Sequence, residues 1–438
     1  TEEKHLYLKI YEYYKEQSLS GKLPPGTRML SLRKCALDRG VSRTTAEAAY
    51  LQLSAEGYLA AKPQSGYYVT GIANSPQPPA RTEIPDRPAV QFDFASSGVD
   101  RDSFPFDIWR RYLKSALRQN DRMLSYGEPQ GEPDFRQVLC DYIREKRNVI
   151  CSPEDIVVGA GVQSLLQILC PLIRSERQSV SFPTPSFYRG AQIFSDFGYR
   201  VSYRDKNCDV IYVSPAHMTK WGDIMPVSRR LELVQHAART GCLILEDDYE
   251  NELVYLQKPT PSLYSLSGAQ NVVYLGSFSR LLLPSIRISF MVLPGNLAAR
   301  YRKVRDRYTQ TASKAEQIAL SQYIRDGHLG AQTRKLRRLY AEKMQLLLRA
   351  VDTVFGENTL RKTGDSGTTL LLSIPFSGSG ALFVERALER GVRVSLLEEA
   401  DGYIGILLSC SYVPSGQFEE GLRILRDVQR EGAFSEIE

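Results

Sequence analysis

Between Gly71 and Ala89 the apolar periodicity of the chain stops, and Pro76, Pro78, Pro79, Pro85 and Pro88 accumulate. A segment of this kind buries nothing and reads as an extended, semi-rigid spacer. It divides the 438 residues into a small part at 1–70 and a large part at 90–438, each of which must build its own core. Length agrees, because one ordinary hydrophobic core does not extend over so long a chain. With 42% hydrophobic and 24% charged residues, both parts read as globular. The net charge of +6 is modest, so a polyanionic partner would depend on local clustering of basic residues.

In the small part, Leu6, Ile10, Tyr13 and Tyr14 recur at helical spacing up to Ser20-Gly21. After the Leu23-Pro24-Pro25-Gly26-Thr27 turn, Ser31 suits the cap of a second helix carrying Leu32, Cys35, Ala36 and Leu37, which Gly40 ends. Ser42 follows at once and can cap a third helix with Ala46, Ala49, Tyr50 and Leu53 as its inward stripe. Two short helices across a tight glycine turn make a helix-turn-helix. Leu59-Ala60-Ala61 and Tyr67-Tyr68-Val69-Thr70, joined through Lys62-Pro63-Gln64-Ser65-Gly66, then read as a two-stranded wing.

A helix-turn-helix presents the start of its second helix to base edges in the major groove. Here that start is Ser42, Arg43, Thr44 and Thr45. Arg43 can pair bidentately with guanine, and the hydroxyls suit bases or phosphates. Ser31 and Arg33, with Lys62, Gln64 and Ser65 on the wing, would add backbone contacts, and Gly66 would let the wing tip come close. Taken singly, Arg33 or Arg43 is equally an ordinary solvated side chain. The ordered run from Gly21-Lys22-Leu23-Pro24-Pro25-Gly26-Thr27 through Ser31-Leu32-Arg33 and Gly40-Val41-Ser42-Arg43-Thr44-Thr45 to Glu56-Gly57-Tyr58 is more specific. It resembles the winged helix of GntR-family regulators, which bind double-stranded DNA.

Seven cysteines lie far apart, with no Cys-x-x-Cys pair and no histidine at metal-ligand spacing. Most sit in apolar runs, so they read as buried thiols of a reducing compartment, and no metal site is expected. Thr-Glu-Glu-Lys-His at the start lacks an apolar leader, and no apolar run has the length of a membrane span. A cytoplasmic protein without membrane attachment is the expectation.

Beyond the spacer, short apolar runs alternate with helical stretches. Ile156-Val157-Val158, Val210-Ile211-Tyr212-Val213, Cys242-Leu243-Ile244-Leu245 and Val272-Val273-Tyr274-Leu275 are the clearest. Such alternation predicts a three-layer α/β sheet, parallel at its centre, and a long basic amphipathic helix around Arg334 to Leu348 leads into a smaller α+β portion. Polar groups follow several strands, where open α/β sheets bind ligands. Gly161, Val162 and Gln163 open a helix and offer backbone N–H groups and a helix dipole to a phosphate, although taken alone the glycines there are better explained by helix packing. Asp247-Asp248-Tyr249 supplies a carboxylate able to hold a pyridinium nitrogen. Ser277 and Ser279, with Arg287 further on, again suit a phosphate.

In order and spacing these segments resemble fold-type I aminotransferases, and especially the MocR-type regulators that join this fold to a GntR winged helix. Phe104-Pro105 with Trp109, Tyr126-Gly127-Glu128-Pro129-Gln130-Gly131, Cys151-Ser152-Pro153-Glu154, and Gly327-His328-Leu329 with Tyr340 extend the likeness over nearly the whole chain. The resemblance implies pyridoxal 5'-phosphate with Asp247 at its pyridine nitrogen, Tyr249 at its phenolic oxygen and Phe187 on its ring face. Gly161, Val162, Ser277, Ser279 and Arg287 would line its phosphate.

One departure outweighs these agreements. Where the family carries Ser-Phe-Ser-Lys, with the lysine that forms the Schiff base, this chain reads Ser277-Phe278-Ser279-Arg280. A guanidinium stays protonated and cannot make that bond, so no catalytic residue is assigned and any cofactor is expected to be noncovalent. Arg280 is either natural, marking a regulator of pyridoxal phosphate, its amino-acid adduct or a related anion, or an engineered replacement in a lysine-bearing member. A second departure is Ser214-Pro215-Ala216-His217-Met218-Thr219-Lys220-Trp221-Gly222, in place of the usual Pro-Ser-His-Gln stretch. His217 is kept and serves either the cofactor or the loop, and Lys220 offers a substitute amine but reads first as an ordinary exposed lysine. Gly405 to Ser411 holds no arginine to clamp a substrate carboxylate, which leaves the effector unassigned.

The expectation is therefore a homodimeric DNA-binding regulator whose aminotransferase-like domain senses a small molecule and presents paired winged helices to paired half-sites. The competing reading is a pyridoxal-phosphate enzyme with an accessory DNA-binding domain, which a lysine at 280 would have favoured.

Overall fold

The computed structural model describes residues 2–71, 89–96, 98–254, 260–400 and 402–434. Most of the expected spacer lies outside these residues. The chain divides into two compact units, Thr1–Arg87 and Pro88–Glu438.

In the first unit, α1 (Glu2–Leu19), α2 (Leu32–Arg39) and α3 (Arg43–Ala55) precede a hairpin of β1 (Leu59–Lys62) and β2 (Gly66–Val69). Capping decides where the helices begin. Ser31 Oγ accepts from the Lys34 N–H at 3.3 Å, and Ser42 Oγ from the Thr45 N–H at 3.1 Å. The turn between α2 and α3 needs a left-handed residue, and Gly40 takes it at φ 62°. Ala46, Ala49, Tyr50 and Leu53 are fully buried, so the stripe on α3 is as expected. On α1 and α2 it is narrower: Ile10 and Tyr14 face the core, while Leu6 and Tyr13 are exposed and Leu37 is 85% exposed. Periodicity overcounts here because three short helices and a hairpin cannot cover every apolar position. Thr27 and Met29 also bond the wing backbone at Val69 and Tyr67, so a third extended segment braces the hairpin.

The second unit is built on a seven-stranded sheet in the order β4-β10-β9-β8-β7-β5-β6. A short β3 (Phe92–Asp93) precedes it in the chain. Its strands are β4 (Ile156–Gly159), β5 (Ser179–Phe182), β6 (Arg200–Tyr203), β7 (Val210–Val213), β8 (Leu243–Asp247), β9 (Val272–Ser277) and β10 (Ser289–Val292). The centre is parallel, as predicted. However, β10 runs antiparallel to both β9 and β4, because the short link from Ser277 to Ser289 is too tight for a crossover helix. Strands β4, β5 and β8 are buried along their whole length, the mark of a sheet covered on both faces.

The 28-residue helix His328–Phe355 leads into the smaller portion. There β11 (Leu360–Lys362), β12 (Thr369–Pro375), β14 (Ser395–Ala400) and β15 (Tyr403–Ser409) form an antiparallel sheet, while β13 (Val392–Arg393) pairs in parallel with β3. All seven cysteines are free. Cys140 and Cys151 approach within 3.6 Å, and the others lie in the core. Among the described residues no helix is long and apolar enough to cross a membrane, and no cluster of ligands could hold a metal ion.

Candidate functional site

On the first unit, Arg33, Arg43, Thr44, Lys62, Gln64 and Gly66 are exposed. Gln64 and Gly66 adopt left-handed φ values of 60° and 104°, which form the tight wing tip. Lys62 Nζ lies 4.5 Å from the Tyr68 ring centroid, and Ser65 Oγ bonds the Tyr68 hydroxyl at 2.6 Å. Three expected contacts are otherwise engaged. Thr45 is 7% exposed and its hydroxyl lies 2.7 Å from Ser42 Oγ, so it braces the start of α3 instead of facing outward. Ser42 and Ser31 spend their side-chain oxygens on capping. The helical period explains the miss at 45, since the residue two beyond an outward Arg43 turns toward the core. Arg28 was overlooked: it is exposed and bridges the wing at Tyr68, yet its place beside the wing is set by tertiary pairing alone.

On the second unit, every residue assigned to the cofactor from sequence borders one cavity of about 600 Å³ at the carboxyl ends of the parallel strands. Gly161, at φ 88°, opens the helix Val162–Ile173 without a side-chain cap, so the first N–H groups of that helix remain directed at the cavity. A Cβ at 161 would come within 2.6 Å of the movable end of Arg287, and the backbone at φ 88° is itself one that side chains rarely adopt, so glycine suits this crossing of the helix start. Ser277 and Ser279, from the end of β9, bring their hydroxyls to 3.4 Å of one another beside it. Helix N-terminus, hydroxyls and guanidinium together form an anion cradle.

Away from the cradle stands Asp247, 7% exposed at the end of β8. One of its oxygens accepts a hydrogen bond from the Tyr212 hydroxyl, while Oδ1 is buried without a hydrogen-bond partner. Burial pushes the Asp247 carboxyl up to about 6 despite the Tyr212 bond, and the neighbouring Asp248 adds to the shift. A buried acceptor with a free lone pair is costly unless a donor arrives, and a protonated ring nitrogen is such a donor. Tyr212, in turn, packs between Phe182 and Phe187, with ring centroids 5.0 and 5.2 Å away. It had been read only as part of an apolar strand. Its alternation on β7 places it on the same face as the cavity, which is the signal that could have found it.

Glu250 was also missed. Its carboxylate, 1% exposed, lies 2.7 Å from Arg280 Nε and 3.1 Å from His217 Nδ1. The residue takes a left-handed φ of 62°, a conformation costing about 1 kcal/mol or more for a side chain of this kind. The His217 ring lies 5.1 Å from that of Tyr249, and burial lowers the His217 pKa below its ordinary value. The loop carrying His217 is clasped by the smaller portion. Ser366 Oγ donates to the Ala216 and Gly222 carbonyls at 2.6 and 3.0 Å, and the Gly364 N–H donates to the Trp221 carbonyl at 2.7 Å.

Behind the site, on the opposite face of β8, Arg147 and Asp248 form a buried bidentate pair at 2.6 and 3.0 Å, and the Tyr274 hydroxyl donates to the same carboxylate at 2.6 Å. Burial works against charge on Arg147, but Asp248, Tyr274 and Glu246 together outweigh it and the guanidinium is held protonated.

A winged helix-turn-helix thus accompanies an α/β fold with a cavity at its strand ends, the class of a DNA-binding regulator carrying an aminotransferase-like domain. The family model for bacterial regulatory proteins of the gntR family matches residues 6–69, and that for aminotransferase class I and II matches 91–210. The HTH-type transcriptional regulator YdeL of Bacillus subtilis is 33% identical over 89% of this chain and 88% of its own. The probable rhizopine catabolism regulatory protein MocR of Rhizobium meliloti is 28% identical over 96% and 93%. Among solved structures, LysN of Thermus thermophilus, an α-aminoadipate aminotransferase complexed with N-(5'-phosphopyridoxyl)-L-leucine, superposes with a TM-score of 0.67 at 23% identity, covering 78% of this chain and 92% of that one. The chain belongs to the MocR-type transcription regulators.

Proposed function

We propose that the cavity of this regulator is its effector site and takes pyridoxal phosphate, an amino-acid adduct of it or a closely related anion, with no covalent bond at position 280. The buried, unpartnered Oδ1 of Asp247 carries this reading, because it asks for a cationic donor while the other side of the same cavity asks for an anion. The residues fit the cofactor. Asp247 would hold the ring nitrogen and Phe187 the ring face. Gly161, Val162 and Gln163, through their backbone, and Ser277, Ser279 and Arg287, through their side chains, would hold the phosphate. His217 and Tyr249 border the cavity beside them. When bound, pyridoxal phosphate supplies an aldehyde carbon and an electron-accepting ring.

Arg280 removes the amine on which transamination would run and is instead tied to Glu250. Regulation is therefore the activity proposed, and turnover is not. The bulk of the second unit would support a homodimer, and Arg43 and Thr44, with the wing at Lys62, Gln64 and Gly66, would engage successive half-sites of double-stranded DNA.

Two measurements test this. Equilibrium dialysis of the full chain should retain pyridoxal phosphate, with retention lost in Asp247→Ala. A gel shift with the protein's own upstream DNA should show binding that weakens steeply with salt and changes when the ligand is added. Failure to retain the ligand removes the proposed effector, and failure to bind DNA at low salt removes the regulatory reading of the first unit.

A further inference from the structure

We propose that the ε-amine of Lys220 forms a reversible imine with the aldehyde of pyridoxal phosphate in the cavity, supplying from the clasped loop the amine that position 280 lacks. The inference rests on the reading of the cavity as a pyridoxal-phosphate site. Among the described residues bordering that cavity, Lys220 is the only lysine. It is exposed, as its sequence suggests, but the space it borders is the ligand cavity.

The backbone on either side of Lys220 is fixed. The Met218 N–H donates to the Asp223 carbonyl at 2.7 Å, the Gly222 N–H to the Thr219 carbonyl at 3.1 Å, and the Asp223 N–H to Thr219 Oγ1 at 3.0 Å. The contacts of Ser366 and Gly364 then hold the same loop against the smaller portion. The amine is therefore carried on an anchored stretch and reaches by its own flexible stem.

Two charged groups act on it. Arg280 repels its proton and Glu250 attracts it, with burial the largest influence and the net result a pKa below that of an ordinary lysine. Glu250 is already engaged by Arg280 at 2.7 Å and by His217 at 3.1 Å. Arg280 thus does two things for Lys220: it engages the Glu250 carboxylate that would hold the proton and it disfavours the ammonium form. A lysine beside another cation gives up its proton more readily, and the neutral amine is the nucleophile. The same features make it a poor anion clamp, which is why we assign it to carbon chemistry.

The step balances without an oxidant or a reductant. The neutral Nζ lone pair attacks the aldehyde carbon and a C–N bond forms. The carbonyl oxygen leaves as water with the two amine protons, and hydrolysis reverses the reaction.

The test uses the full chain with pyridoxal phosphate at equimolar concentration. Borohydride reduction traps the imine, peptide mass spectrometry locates it, and equilibrium dialysis of an unreduced sample measures total binding. One dominant adduct on Lys220 is expected, and the total adduct per chain should fall about tenfold or more in Lys220→Arg, whose unchanged melting would show it folded. In Arg280→Lys the adduct should move to position 280. If wild type retains the ligand on dialysis but carries no adduct, or only adducts spread over surface lysines and unaffected by Lys220→Arg, the inference is wrong and the effector reading stands. An adduct in Arg280→Lys with none in wild type would likewise show that the aldehyde is well placed and Lys220 does not reach it. If wild type retains no ligand, both readings fall.

Discussion

Arg280 Nε lies 2.7 Å from Glu250 Oε1, and the other oxygen of that nearly inaccessible carboxylate faces His217 Nδ1 at 3.1 Å. Arg280 is therefore part of a three-membered arrangement with Glu250 and His217. Burial lowers the His217 pKa, Glu250 raises it and Arg280 lowers it further. In Arg280→Ala the carboxylate loses its guanidinium and keeps His217 beside it, so the His217 pKa should rise. An NMR titration of the four imidazoles, assigned with His217→Gln, would read it. An unmoved His217 midpoint would remove the coupling.

Asp247 should limit stability in the ligand-free protein. Its folded pKa of about 6 stands above the ordinary 3.8, so its stabilising contribution is complete below pH 3.8 and is lost as pH rises through 6. Above that range the fold carries a buried carboxylate whose charge is only partly met by Tyr212. Asp247→Asn keeps an acceptor for the Tyr212 hydroxyl and carries no charge. It should stabilise the ligand-free chain by roughly 2–3 kcal/mol at about pH 7.5 and by little near pH 4, measured by urea unfolding. The same change should weaken pyridoxal-phosphate binding, so stability and affinity move in opposite directions.

The buried pair behind the site makes the contrary prediction. Asp248→Ala strands Arg147, whose side chain is 2% exposed, and should cost about 3–5 kcal/mol. Replacing both partners, Arg147→Met with Asp248→Leu, should cost less than the single change, since no unpaired charge remains. Equal or greater loss in the double variant would show that the hydrogen bonds to Tyr274 and the Thr260 carbonyl matter more than charge pairing.

For the winged helix, exposure separates the candidates. Arg43→Ala should lower affinity for the specific operator by about 1–3 kcal/mol and relax specificity, with melting unchanged. Lys62→Ala should weaken all DNA sequences alike and reduce the salt slope by about one. Thr45→Val, at a buried position bonded to Ser42, should lower the melting temperature. A Thr45→Val protein of normal stability that fails to bind DNA would reverse its assignment.

Much of this was legible in the residues themselves. The proline-rich break, the caps at Ser31 and Ser42, the period of α3 and the order of the strand-end motifs are local features, and each is fixed by backbone chemistry acting within a few residues. The guanidinium at 280 is likewise a chemical fact of one side chain. Tertiary structure decided what those side chains meet. The buried side of Thr45, the exposure of Leu37, the reversed direction of β10 and the bond from Tyr212 to Asp247 all depend on which surfaces pack together. The pairing of Arg280 with Glu250 depends on a left-handed backbone at 250 and on a loop held from the smaller portion by Gly364 and Ser366. Sequence separation hides such contacts, because burial and Coulomb energy depend on distance in space. The chain by itself therefore determined that an arginine stands at position 280, and only the fold decided which carboxylate holds Arg280 and which amine borders the same cavity.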